Sequence, residues 1–257
     1  MEKPYYPSIK IQDFPEKREE KMSDIISVNN LSKSYGSHQV LSNVSFNFEG
    51  GQIIGLLGPN GSGKTSLIKI LTGLIHDYSG QVLIDGDEPG VITKAKVAYL
   101  PEKTYLADWM RSVDAINFMA DFYKDFDKEK AFKMLDSFQL PPKQKIKTMS
   151  KGMQEKLQLL LVMCRNAKLY VLDEPLGGVD PAARAFILDT IMKNHPEGST
   201  VLISTHLIYD VERIFNSVLM IGRGQVLVKS RVEDITGAGK TIEDLFKEVF
   251  GYAWQVN

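Results

Sequence analysis

Apolar runs and apolar residues at helical spacing follow one another along this 257-residue chain, and their order predicts its secondary structure. Short runs rich in Val, Ile, Leu and Phe predict strands at residues 26–31, 40–48, 52–57, 82–84 and 97–100. Between the third and fourth of these runs, apolar residues recur every three or four positions, which predicts a helix from Lys64 to Leu74. Residues 25–57 are therefore expected to be rich in strands.

The pattern changes between residues 104 and 147, where almost no strand signal remains. Two amphipathic helices are predicted there, and the second ends at Pro141-Pro142, because proline cannot continue a helix. A further helix is predicted over residues 151–165. We expect these helices to form a subdomain, at about residues 104–165, that is inserted into the rest of the domain.

Beyond residue 165 strands and helices alternate. Strands are predicted at residues 169–172, 201–204 and 218–221, and helices at residues 182–192 and 207–214. Such alternation favours a parallel sheet with helices on both faces, so the expected fold class is α/β. The sequence TIEDLFKEVF near the end of the chain predicts one more short helix.

Composition sets the boundaries of this domain and excludes some functions. Residues 1–21 are charged and proline-bearing without a clean period, and we interpret them as a flexible extension. The main domain is expected at residues 22–235 and a helical tail at residues 236–257.

The net charge of −1 provides no excess of positive charge that would attract nucleic acid, so no nucleic acid is expected as a partner. The longest apolar run, Leu159–Met163, is far shorter than the ~20 residues of a membrane span, and its neighbour Cys164 is expected to be buried.

A glycine-rich segment, GPNGSGKTS at residues 58–66, follows a predicted buried strand and opens a predicted helix. Its pattern is that of a phosphate-binding loop, in which glycines allow backbone N–H groups to surround an anion at a helix N-terminus. The alternative is an ordinary glycine-rich turn. The candidate phosphate-binding residues are Gly58, Pro59, Asn60, Gly61, Ser62, Gly63, Lys64, Thr65 and Ser66. Lys64 would neutralise the β- and γ-phosphates, and the Thr65 hydroxyl would bind Mg²⁺.

Two more buried strands end on residues with catalytic chemistry. LYVLDEP delivers Asp173 and Glu174 to a strand end, where ligands bind in open parallel sheets. Asp173 is suited to hold Mg²⁺, directly or through water, and Glu174 to act as the general base on a water. VLISTH places His206 at a similar strand end, where it would contact the γ-phosphate. Acids that cap a helix and a structural histidine are the alternatives.

The order of these motifs resembles the ATP-binding subunit of an ABC transporter. The segment MSKGMQ, shortly before LYVLDEP, is similar to the signature motif of that family, LSGGQ. Ser150 and Gly152 match this motif, whereas Met149, Lys151 and Met153 depart from it. The departure resembles the SKGM form of many bacterial export-type subunits. An ordinary N-cap at Ser150 is the alternative.

The resemblance implies a P-loop NTPase fold with a mostly parallel core, an N-terminal antiparallel β-subdomain and an inserted helical subdomain. It also implies that Tyr35 stacks on adenine, that Glu102 reaches Mg²⁺ through water, and that Asp180 crosses a dimer interface. The alternatives are a core or edge tyrosine at position 35 and a helix N-cap at Asp180, although one residue can do both. Ser150, Lys151 and Gly152 would then face the ATP of a second ABC ATPase subunit.

The expected function is ATP hydrolysis that powers transport, with ATP and Mg²⁺ as cofactors. The resemblance implies two partners, which are an integral membrane subunit and a second ABC ATPase subunit, either identical or related. It also places the protein at the cytoplasmic face of the membrane, and the SKGM and YLPE variants favour export. A soluble ABC-type ATPase with a role outside transport and a poorly hydrolysing regulatory subunit are the alternatives. The sequence does not encode the transported substrate.

Overall fold

The computed structural model describes residues 24–251, which build two sheets and a set of helices. Residues 1–21, which are expected to form a flexible extension, and residues 252–257 of the expected tail lie outside the described residues. The strands are β1 (Asp24–Tyr35), β2 (His38–Glu49), β3 (Ile53–Leu57), β4 (Ser79–Ile84), β5 (Val97–Leu100), β6 (Leu169–Asp173), β7 (Thr200–Thr205), β8 (Ser217–Gly222) and β9 (Gln225–Arg231). The α-helices are α1 (Lys64–Leu71), α2 (Val91–Lys96), α3 (Ser112–Phe122), α4 (Lys128–Ser137), α5 (Lys151–Met163), α6 (Pro181–Asn194), α7 (Ile208–Val211), α8 (Val232–Gly237) and α9 (Ile242–Phe250).

The larger sheet has the strand order β5-β6-β7-β3-β8-β9 and is parallel apart from β9, which is antiparallel to β8. Every residue of β3, β6, β7 and β8 is buried, as expected for parallel strands covered on both faces. In register, Leu57 lies beside Thr205, and Asp173 lies beside Ser204. The three segments that follow β3, β6 and β7 therefore lie together at the carboxyl ends of the parallel strands.

The smaller sheet is antiparallel and has the order β2-β1-β4. A two-residue turn at Gly36-Ser37 joins β1 to β2, and Gly36 has φ +57°, which suits glycine in such a turn. Tyr35 and His38 face each other as the last pair of this hairpin. The expected antiparallel β-subdomain near the N-terminus is therefore confirmed.

Two hydrophobic clusters cover opposite faces of the large sheet. Ile54 and Leu56 point into the cluster that contains α1 and the small sheet, whereas Ile53 and Leu57 point into the cluster that contains α3–α6. This alternation within one strand follows from the two-residue period of β-structure. Cys164 is buried in the second cluster, and burial raises its pKa to about 12, which fits the expected role as a small apolar residue.

The helices of residues 104–165 confirm the predicted helical insert. Helices α3, α4 and α5 pack against one another, and their apolar faces share the second cluster. Helix α5 begins at the N-cap Ser150 and extends back to the large sheet, where it contacts β5. No helix within residues 24–251 combines the length and the apolar character needed to cross a bilayer.

Several boundaries differ from the sequence-based prediction. Helix α1 ends at Leu71 rather than Leu74, because Gly73 adopts φ +66° and turns the chain. The helix predicted at residues 207–214 is the single turn α7 followed by a 3₁₀ turn at Glu212–Ile214. Elements absent from the prediction are α2, β9 and α8.

Candidate functional site

The glycine-rich loop connects the centre of the large sheet to α1. Gly58 comes directly after β3 and packs so close to β8 that a Cβ on it would collide with the Ile221 carbonyl oxygen. Gly63 has φ +108°, and a Cβ on it would lie 2.8 Å from a methyl carbon of Leu41. Glycine is thus required at both ends of the loop, as the phosphate-loop pattern predicts.

Lys64 is buried within this loop. Its Nζ donates hydrogen bonds to the carbonyl oxygens of Gly58 at 2.7 Å and Pro59 at 3.1 Å. Burial lowers the pKa of the Lys64 ammonium, while the nearby charges of Glu174, Asp173 and Glu102 act in the opposite direction. The ammonium is therefore incompletely compensated, and an incoming anion would stabilise it.

Asp173, at the end of β6, is only 2% exposed. Burial raises the pKa of its carboxyl group, and a hydrogen bond from Ser204 Oγ to Asp173 Oδ1, at 2.6 Å, partly offsets this effect. Sequence reasoning did not identify Ser204. The available signal was a hydroxyl residue inside VLISTH, at a position of a buried strand where an apolar residue is expected.

Glu174 adopts φ +49°, which is uncommon for a residue with a side chain. Its backbone N–H donates to the carbonyl oxygen and to the Oγ of Ser204, at 3.1 and 3.0 Å, and this fixes the turn. His206 Nδ1 lies 2.9 Å from Glu174 Oε2. Because an ionised carboxylate can only accept, Nδ1 donates this bond and Nε2 faces away from the glutamate. The predicted base and the predicted histidine therefore form a hydrogen-bonded pair.

These residues open onto a cleft of about 840 Å³. The predicted site residues that line it are Asn60, Gly61, Ser62, Gly63, Lys64, Thr65, Ser66, Glu102, Lys151, Glu174 and His206. Unpredicted residues that also line it are His38, Val40, Lys103, Thr104, Gln154, Glu155, Gln158, Gly177 and Gly178. The volume lies within the range of small-molecule sites and suits a ligand of nucleotide size.

The groups predicted to bind Mg²⁺ are compatible with that ion. Thr65 is exposed in the first turn of α1, Glu102 is exposed at the cleft wall, and Asp173 is the buried carboxylate. Within residues 24–251 no group of three or more His, Cys, Asp or Glu side chains forms a complete metal cage. Mg²⁺ is commonly held by one or two carboxylates together with water and substrate phosphates, so these residues suit an ion that arrives with a nucleotide.

Ser150 and Asp180 are both helix caps. Ser150 Oγ accepts from the Met153 N–H at 3.3 Å, and Asp180 Oδ1 accepts from the Ala183 N–H at 2.9 Å. The capping alternatives considered for both residues are therefore present, and they leave a second role open. Gly152 lies in the first turn of α5, where nothing occupies the space that a Cβ would fill.

Tyr35 is not among the residues that line the cleft. Its ring is 48% exposed at the end of β1, beside His38, which does line the cleft. Lys33 Nζ lies over this ring, 4.9 Å from its centroid. The structure thus places Tyr35 next to the cleft with one ring face in contact with a cation.

Comparison with known proteins agrees with this geometry. The family described as "ABC transporter" matches residues 41–177, which include the phosphate loop, the signature segment and the Asp173-Glu174 strand. A solved structure described as the ATP binding subunit of an ABC transporter is similar, with a TM-score of 0.79 and 27% identity. The similarity covers 88% of this chain and 99% of that one, and it confirms the P-loop NTPase fold.

Curated relatives are similar over most of the chain. An uncharacterised ABC transporter ATP-binding protein of Methanocaldococcus jannaschii is 34% identical over 83% of this chain and 80% of its own length. The SkfA peptide export ATP-binding protein of Bacillus subtilis is 32% identical over 79% of this chain and 87% of its own length. Taken with the phosphate loop and the Glu174–His206 pair, these similarities show that the chain belongs to the ABC transporter family, as an ATP-binding subunit with ATPase activity.

Proposed function

We propose that Lys64, Glu174 and His206 carry out the hydrolysis of ATP in the cleft, with Mg²⁺ as the metal ion, and that this drives export through a separate membrane subunit. The observation that carries the proposal is the hydrogen bond between Glu174 and His206 beside the buried Lys64. It joins a base to its orienting partner at the carboxyl ends of the parallel strands, where the phosphate loop begins.

The phosphate groups are bound by the loop of residues 58–66. Backbone N–H groups at the start of α1 and the ammonium of Lys64 provide the positive charge. The Asp173 carboxylate, the Thr65 hydroxyl and, through water, Glu102 would hold Mg²⁺, which neutralises phosphate charge when bound. ATP with its bound Mg²⁺ would therefore supply the anion that compensates Lys64 and the cation that compensates Asp173.

Hydrolysis needs a base that can polarise water in line with the γ-phosphate. Glu174 is suited to this role because its backbone is held by two hydrogen bonds from its own N–H. His206 fixes one carboxylate oxygen through Nδ1, which leaves the other oxygen for the water. The exposed His206 ring can also approach the γ-phosphate from the open side of the cleft.

A second ABC ATPase subunit completes the site. Ser150, Lys151 and Gly152 begin α5, and Asp180 precedes α6, so both segments present helix N-termini and polar groups at the surface. In the proposed dimer they contact the ATP held by the other subunit, and this ATP links the two chains. Loss of phosphate would remove the link and open the dimer.

The membrane partner binds at the helical insert and places the chain at the cytoplasmic face of the membrane. Five aromatic side chains of the described insert are exposed, namely Tyr105, Trp109, Phe118, Phe122 and Phe132. Such groups are unfavourable in water and typical of contact surfaces. The Bacillus subtilis relative is named for export of the SkfA peptide, and a relative from Streptococcus pyogenes is named for lantibiotic transport. Together with the SKGM segment, these names favour a peptide as the exported substrate.

The phosphate-loop assignment is tested by comparing two lysines of α1. Lys64→Ala should weaken ATP binding by about 100-fold or more, because it removes a charge-assisted contact to phosphate. Lys69→Ala, which changes an exposed lysine of the same helix, should leave binding unchanged. Both variants are measured by calorimetric titration with ATP and Mg²⁺, and tight binding by Lys64→Ala would refute the assignment.

The membrane partner is tested by purification from detergent-solubilised membranes. The wild-type chain should copurify with an integral membrane protein, whereas Trp109→Ala with Phe122→Ala should lose it. Tyr209→Ala serves as the control, since Tyr209 is exposed on α7, outside the insert. Recovery of the same membrane protein by the double variant would exclude the aromatic surface as the binding site.

A further inference from the structure

We propose that Lys33 is a positioning residue for the nucleotide base, because it holds the Tyr35 ring in the orientation that stacks on adenine. The inference rests on the proposed function, in which the cleft binds ATP. Neither the sequence motifs nor the comparisons with relatives assign a role to Lys33.

Lys33 is a buried ammonium with little compensation. It is 6% exposed, although lysine is rarely buried without a strong partner. Its Nζ lies 3.0 Å from Asp77 Oδ2, but the Asp77 side chain is 98% exposed and is therefore well screened by water. A second contact is with the face of the Tyr35 ring, 4.9 Å from Nζ to the centroid. The buried Lys33 side chain thus places its ammonium between an exposed carboxylate and one particular aromatic ring.

The position of that ring explains why the charge is kept there. Lys33 and Tyr35 are two residues apart near the end of β1, where the pairing with β2 is irregular, and Lys33 Nζ lies over the Tyr35 ring. Tyr35 pairs across the hairpin with His38, and His38 and Val40 line the cleft together with Asn60 of the phosphate loop. The second face of the ring is the one available to a flat ligand that extends from the phosphates.

A cation below the ring prepares it for stacking. A half-exposed tyrosine at the end of a hairpin would otherwise lose rotamer freedom when a base binds, and that loss would weaken affinity. The attraction between ammonium and ring fixes the ring before the nucleotide arrives. Asp77 lies in the segment after α1, the helix that begins at Lys64, so the same ammonium also connects the ring to the element that holds the phosphates.

The test separates the base from the phosphates. Affinities for MgATP and for magnesium tripolyphosphate, which lacks a base, are measured by calorimetry for the wild-type protein, Lys33→Met, Lys33→Arg and Tyr35→Ala. Lys33→Met should fold, because methionine keeps the apolar stem and the exposed Asp77 leaves no buried charge behind. Melting curves of all variants verify this point.

We expect Lys33→Met to weaken MgATP binding by about three- to tenfold, in the range of a cation–π contact, and to leave tripolyphosphate binding unchanged. Lys33→Arg should restore ATP binding, since guanidinium also stacks on aromatic faces. Lys33→Met combined with Tyr35→Ala should bind ATP no more weakly than Tyr35→Ala alone, because both changes remove one interaction.

Two results would overturn the inference while the proposed function stands. One is wild-type ATP affinity in Lys33→Met, and the other is an equal loss of affinity for ATP and tripolyphosphate, which indicates general damage to the site. If the wild-type protein binds neither ligand, the proposed function fails and the role of Lys33 fails with it.

Discussion

At the scale of single residues, the site contains charges that the free protein stabilises poorly. Burial lowers the pKa of Lys64 and raises that of Asp173, so each group is less favourable in its charged form than it would be in water. In the proposed function, bound MgATP would supply the missing partners of both groups. Functional sites often reduce the stability of a fold in this way.

Asp173→Asn should therefore stabilise the nucleotide-free protein at pH 7 while it impairs ATP hydrolysis. In the wild type, the unfolded chain releases the Asp173 proton near pH 3.8 and the folded chain releases it at a higher pH, so stability falls as pH rises through that window. The substitution removes this penalty, and we expect a melting temperature higher by roughly 2–4 °C, as about 1 kcal/mol gives in a domain of this size.

The pH dependence provides the check on this prediction. The difference in melting temperature between Asp173→Asn and wild type should be present at pH 7. It should shrink as the pH falls below 3.8, where Asp173 becomes protonated in the unfolded chain as well as in the folded one. Asp121→Asn, an exposed substitution on α3, should show no difference at either pH. A lower melting temperature for Asp173→Asn at pH 7 would contradict the explanation from burial.

At the scale of elements, one lysine joins three helices. Lys130 of α4 donates to the carbonyl oxygens of Met163 at 2.9 Å and Asn194 at 2.8 Å, which are the last residues of α5 and α6. A cation at a helix C-terminus is favourable because carbonyl groups there lack partners within the helix. Ser150 and Asp180 are the N-caps of these two helices. The contact therefore fixes the C-terminal ends of the helices whose N-termini are proposed to meet the second subunit.

Lys130→Met should lower the free energy of unfolding by about 1–2 kcal/mol, because it leaves two carbonyl groups without their charged donor. Lys128→Met, which changes an exposed lysine in the first turn of α4, is the matched control and should have little effect. Urea unfolding followed by circular dichroism measures both variants. Equal stability of Lys130→Met and wild type would show that the contact contributes little.

The sequence predicted elements where burial dictated their pattern. Strands β3, β6 and β7 are short apolar runs because the sheet is covered on both faces, and this is also why their polar ends stood out. In α2, Val91 and Ile92 are exposed and Thr93 is buried, so no apolar period marks the helix. Strand β9 lies at the sheet edge without a buried residue, and its mixed sequence gave no clear signal.

The residues of the candidate site were likewise predictable where they form a local sequence pattern. The loop of residues 58–66, the acids at the end of β6 and His206 form local patterns with a fixed spacing, and the structure brings them together. Ser204 and Lys33 were missed because their importance comes from contacts with residues distant in sequence or from burial. The hydroxyl of Ser204 within a buried strand was the one local signal for these two residues, and it does not identify a partner.

For the whole molecule, the proposed ATPase cycle requires two chains to close over ATP. Gly152→Asp tests this requirement. Open space surrounds Gly152, and an acidic residue in the first turn of α5 favours the helix itself, so the fold should be retained. The new carboxylate would repel the phosphates of the opposing ATP, and we expect loss of the ATP-dependent dimer.

Dimerisation is measured by analytical ultracentrifugation in a Glu174→Gln background, where ATP persists. The parent variant should form dimers only with ATP, and the additional Gly152→Asp change should leave it monomeric while ATP binding to each chain is retained. Dimers of equal stability in both variants would refute the proposed contact between the start of α5 and the second nucleotide.

Steady-state ATP turnover of Glu174→Gln measures whether Glu174 is the general base in ATP hydrolysis. Loss of a general base costs about 10²–10⁴-fold in rate, so this variant should hydrolyse ATP at least about 100-fold more slowly than wild type with ATP binding intact. Glu197→Gln, at an exposed glutamate outside the cleft, should hydrolyse ATP at the wild-type rate. Turnover by Glu174→Gln at the wild-type rate would contradict the account.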